Sequence, residues 1–148
     1  MAEAWAPLLE QVADHIPTRT RDKDTPSDDT LLGTFNASTT PTGEQAQRHI
    51  NAACREVLAA IGGTLPATPT FLPGMATDAA ALRAAATIEL AYPDRQADVS
   101  VYEQLNTRAD AALQRLIDAV NDQGSGTEGS LLPVWAMPDP PWWGDYPL

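Results

Sequence analysis

Residues 77–92 read TDAAALRAAATIELAY. Alanine is the strongest helix former, so the stretch predicts a helix running from a Thr77 N-cap to about Tyr92, where Pro93 stops it. Its small side chains lie on every face. Neighbouring backbones can therefore approach from more than one side, whether from other helices of the same chain or from a second subunit.

Three further helical patterns flank it. Leu8, Leu9, Val12 and Ile16 recur at three- and four-residue spacings and predict a first helix over residues 6–16, with Pro7 in its first turn and Pro17 at its end. Thr42 to Gln45 match a capping box, and Ala46, Ile50, Ala53, Cys54, Val57, Leu58 and Ile61 form one stripe. Gly62 and Gly63 then end this second helix. A second box, Ser100 to Glu103, opens the last helix, with Tyr102, Leu105, Ala109, Ala112, Leu113, Leu116, Ile117 and Val120 on one face. Its expected stop is Asn121 to Gly124.

Two long connectors complete the pattern. Residues 18–40 are polar and rich in turn formers, pinned to the core by an extended stretch around Leu31, Leu32 and Phe35. Residues 64–75, TLPATPTFLPGM, read as a proline-rich connector. The fold class expected is all-α. It comprises a four-helix, bundle-like domain over residues 1–122, followed by a linker and an extended Pro/Trp-rich arm over residues 123–148.

The composition narrows the function. The chain has 148 residues, 43% of them hydrophobic, and a formal net charge of -11 that opposes direct binding to DNA or anionic lipid. Its one cysteine, Cys54, excludes an intrachain disulfide and falls on an apolar helix face, where a buried, inert thiol is expected. No signal-peptide pattern opens the sequence, and no apolar run approaches the ~18 residues of a membrane span. Synthesis in a cytoplasm and no membrane partner are expected.

Signals for catalysis are poor. His15 and His49 fall on different predicted helices, and the five-residue spacing of His49 and Cys54 turns their side chains apart. Gly124, Gly126 and Gly129 satisfy G-x-G-x-x-G, but a helix precedes them, prolines follow, and Glu128 adds negative charge, so the string reads as a linker. Asp22, Asp24, Asp28 and Asp29 lack the glycine and closing glutamate of a calcium loop. Glu89, on the apolar side of the alanine-rich helix, is either solvent-exposed or paired, with Arg55 or Arg108 as the partners considered. No enzymatic activity, cofactor or metal is expected.

The segment after Gly124 is different in kind. Leu131, Leu132, Val134, Trp135, Trp142, Trp143 and Tyr146 stand among prolines, with no basic residue. Such aromatics either fill a groove on their own domain or anchor the segment on another chain. The second reading is preferred, because prolines lower the entropy lost on docking and Trp and Tyr are common interface anchors.

Taken in order, IPTR (16–19), LLGTFNASTTPTGEQAQRHINAACREV (31–57), AAATIELAYPDRQADVSVYEQL (84–105) and ALQRLIDAV (112–120) resemble the head-to-tail adaptor, or connector, proteins of long-tailed bacteriophages, particularly those of actinobacterial hosts. The resemblance spans about residues 8–121. Pro93 directly after Tyr92 departs from the pattern, and the Trp-rich segment lies outside it. The resemblance implies a small helical protein of the virion neck, assembled as a homo-oligomeric ring, usually of twelve copies. The ring sits between the portal protein and a stopper or head-completion protein, and DNA passes through its lumen without sequence-specific binding. Twelve copies would carry a charge of roughly -130, which would discourage DNA from adhering to the conduit. The alternatives weighed are a stopper or tail terminator, positions usually filled by β-rich proteins, and a small acidic helical inhibitor or DNA mimic. Arginines interleaved with the acids along the helices weaken mimicry.

Overall fold

The structure, a computed structural model, describes residues 3–25, 30–93 and 99–125. Among them are four α-helices, α1 (Leu9–Ala13), α2 (Gly43–Ala60), α3 (Phe71–Ala91) and α4 (Val99–Ser125), with a 3-10 helix at Pro17–Thr20. The described residues form no strand beyond an isolated antiparallel bridge between Arg21 and Leu31. The all-α, bundle-like class expected from the sequence is the one observed.

α3 is the axis. Ala76, Ala79, Ala80, Ala81, Ala84, Ala85 and Ala86 are buried together with Leu72, Leu82 and Ile88, and α1, α2 and α4 all pack against the helix. The alanines at 79–81 and 84–86 are thus covered within the chain. α2 contributes Ile50, Val57 and Cys54 to the core, α1 contributes Val12, and α4 contributes Leu105, Ala109 and Leu116. Leu58 and Ile61, read from the sequence as part of the α2 stripe, are half-buried at its edge.

Helix boundaries differ from the sequence reading in four places. α3 begins at Phe71, within the stretch read as a connector. The first N–H groups of a helix have no intrahelical acceptor, so Pro73 in the first turn forfeits no hydrogen bond. Thr77 therefore lies inside the helix, its hydroxyl 2.6 Å from the Trp5 carbonyl and 2.8 Å from that of Pro73. α1 is a short helix, followed by a 3-10 turn that Pro17 opens rather than ends. Ser100 falls within the first turn of α4 rather than before it, and Asn121 to Gly124 belong to its last turn.

The second helix begins as read. The Thr42 N–H donates to Gln45 Oε1 at 2.9 Å, while the Gln45 N–H reaches Thr42 Oγ1 at 3.4 Å. At its other end Gly62 and Gly63 adopt positive φ of 89° and 96°. The loop before it is held by two fully buried threonines. Thr20 Oγ1 donates to the Pro17 carbonyl and accepts the Gly33 N–H, while Thr39 Oγ1 lies 2.6 Å from the Pro41 carbonyl and accepts the Asn36 N–H. Phe35 is the apolar pin, only 3% exposed, whereas Leu31 and Leu32 are exposed.

The loop crosses α2 closely at Gly43. A β-carbon there would stand 2.8 Å from the Phe35 carbonyl oxygen, a backbone atom that cannot swing aside. Gly43→Ala is therefore expected to destabilise the chain by about 1–3 kcal/mol, although alanine favours helix. A urea midpoint equal to or above that of the parent would contradict this close approach.

Candidate interaction surfaces

The polar residues of the helices divide into those that staple the bundle and those that face a groove. Arg19, on the 3-10 turn, grips Glu89 of α3 with both arms: Nε to Oε1 at 2.9 Å and Nη2 to Oε2 at 2.7 Å. Both side chains are 12% exposed. Glu89 is thus paired, with Arg19 rather than the Arg55 or Arg108 considered from the sequence. Its partner lies in a connector that no helical periodicity marks. Arg83 of α3 is a second staple, bonded to Glu56 of α2 at 3.0 Å and to Asn106 and Asp110 of α4. Arg48 pairs with Glu44 one turn away on the exposed side of α2.

Arg108 and Arg115 do something else. Along α4, residues 108, 111, 112 and 115 share one face by the i, i+3, i+4, i+7 rule, and along α3 so do 75, 78 and 82. These two faces, with His15 between α1 and the 3-10 turn, bound an open cleft of about 480 Å³. Met75, Leu82, Ala111 and Ala112 supply its apolar lining. Arg108 and Arg115 stand on its α4 side, and neither is paired with a carboxylate among the described residues. Asp78 is the acidic residue on its α3 side. Neither helix alone marks the groove, which exists because these positions of α3 and α4 lie side by side.

A second cleft, of about 550 Å³, lies between the N-terminal segment and α2, where Glu3, Gln47, Asn51 and Arg55 surround the edge of Cys54. Burial raises the Cys54 pKa above its ordinary value, ahead of a smaller push from Glu3 opposed by Arg55. A thiol held protonated is a poor nucleophile. His49 stacks edge-on against Tyr92, with ring centroids 6.0 Å apart. The acids of the first loop act within it: Asp22 Oδ1 accepts the Asp24 N–H, and Asp24 accepts from the Ser38 hydroxyl. Asp28 and Asp29 lie outside the described residues. So do Gly126 and Gly129, while Gly124 is in the last turn of α4.

Both histidines are held below their ordinary pKa of 6.5. Burial is the main cause for each. At His15 the Arg108 guanidinium adds to it, while Asp14 and Asp78 oppose. The unfolded chain consequently binds more protons than the folded one between the folded-state pKa values and 6.5. Stability is complete above that window and declines as pH falls through it. His49→Gln should flatten the decline in urea midpoints between about pH 7.5 and pH 5.5. An unchanged slope in this variant and in His15→Gln would contradict the assignment.

The sequence-predicted anchors Leu131, Leu132, Val134, Trp135, Trp142, Trp143 and Tyr146 all lie outside the described residues. Exposed apolar side chains elsewhere include Leu90, Val99 and Val101, where α3 gives way to α4, and Phe71 at the start of α3. Among the described residues no helix is long and apolar enough to cross a membrane, and no group of three or more His, Cys, Asp or Glu is placed to hold a metal ion. No protein family, curated protein or solved structure matches the chain.

Proposed function

We propose that the chain is a structural subunit of a bacteriophage neck, a helical adaptor that joins the portal to the stopper or tail-side protein and extends the DNA conduit as a ring. The observation that carries this reading is the ordered resemblance over residues 8–121, from LLGTF through IEL.Y to SVYEQL. The all-α fold supports it against the stopper and tail-terminator alternatives, which are usually β-rich. The contact between copies must use surfaces other than the α3 alanines at 79–81 and 84–86, which are covered within the chain. The acidic charge of the chain suits a lumen that DNA traverses without adhering.

In this reading the Trp-rich segment is an anchor for another chain. Deleting residues 130–148 should leave the helical circular dichroism and the melting temperature unchanged and abolish co-sedimentation with a portal ring. A large loss of melting temperature with co-sedimentation intact would assign the tryptophans to the chain's own core instead.

A further inference from the structure

We propose that the cleft between α1, α3 and α4 is the seat for the Trp-rich segment of a neighbouring copy of this chain, with Trp142 and Asp145 as the residues it holds. The identity of the donor rests on the neck-ring reading. The seat itself rests on the cleft.

The first argument is charge. In a chain of net charge -11, Arg108 and Arg115 face a groove with no carboxylate partner among the described residues. They call for an acidic occupant that also covers Met75, Leu82, Ala111 and Ala112. Residues 116–148 contain no lysine or arginine, and Asp139 and Asp145 bracket the Trp142–Trp143 pair. The segment therefore offers apolar surface for the cleft's apolar lining and negative charge for the two arginines, which outnumber the cleft's one carboxylate, Asp78.

The second argument is spacing. Two helical turns separate Arg108 from Arg115, about 10.5 Å along α4. Three residues of extended chain span at most about 10–11 Å, enough for the step from Trp142 to Asp145 to match it. One guanidinium can then stack on the indole face while the other pairs with the carboxylate. The third argument is reach. From Ser125 to Trp142 an extended chain spans roughly 55 Å, against about 15 Å back along α4 from Ser125 to its own Arg115. Such a length suits the cleft of an adjacent bundle better than a return to its own.

Cysteines placed in the cleft and the segment of the full chain test this directly. Ala111→Cys/Gly144→Cys should give disulfide-linked dimers and higher multimers on a non-reducing gel after mild oxidation, well above the yield of either single variant. Adding Arg108→Glu/Arg115→Glu should cut the cross-linked fraction by about tenfold, the equivalent of one lost charge-assisted contact. Asp145→Arg in that background should restore it. Arg108→Gln/Arg115→Gln, milder for the fold, should lower it too, with helicity unchanged. A fast-migrating internally bridged monomer would overturn the neighbour assignment, and absence of any pair-specific cross-link would overturn the seat. Since the gel needs no portal, cross-linked multimers that never join a portal ring would overturn the neck reading alone. A portal-bound ring without the cross-link would overturn the seat alone.

Discussion

Arg19→Met should be among the most damaging single substitutions in the chain, lowering its stability by about 3 kcal/mol and its melting temperature by roughly 10 °C. The reason is Glu89. With both side chains 12% exposed, the carboxylate is held away from most water by α3 and the 3-10 turn, and both its oxygens are bonded to one guanidinium. Removing the arginine leaves a desolvated charge without a counter-ion, which costs more than the pair contributes. Arg19→Met combined with Glu89→Leu should recover most of the loss, because two apolar side chains of similar volume need no hydration. Thermal melts of the two single variants and the double variant check this. Additive losses in the double variant would mean that the pair is solvated and incidental.

Leu116→Ala should cost about 3–4 kcal/mol. α4 is long, but among its described side chains only Leu105, Ala109 and Leu116 are buried, and Leu116 is the one at 0% exposure. It is also the buried anchor nearest the C-terminal half of the helix, so truncating it opens a cavity where α4 leans on α3. Ile117→Ala, half-buried one residue along, should cost about 1 kcal/mol. Urea titrations of the two variants would show the difference. Equal losses would indicate that α4 is seated differently from the geometry described.

The long helices were legible because each carries a strong local signal. The Thr42–Gln45 box fixed the start of α2 and Gly62–Gly63 its end, and the alanine run marked α3 as the helix with neighbours on more than one side. The start of α3 was hidden by Pro73 and Gly74, which read as loop residues but are tolerated in a first turn where backbone donors have no partners. The Arg19–Glu89 staple was half legible. A glutamate on an apolar face needs a partner, yet the chain fold alone decides which arginine arrives, and the two residues lie 70 positions apart. The cleft failed to show for a related reason. Residues 75, 78 and 82 and residues 108, 111, 112 and 115 are each an unremarkable helical face, and only the pairing of α3 with α4 turns them into one groove.

The mass of the assembled chain tests the neck reading most directly. Purified protein mixed with a portal ring, and measured by mass photometry or native mass spectrometry, should yield a complex heavier than the portal by a fixed number of copies, twelve if the ring follows the connector pattern, at 15.8 kDa each. A chain that stays monomeric at every concentration and adds no mass to the portal would contradict it.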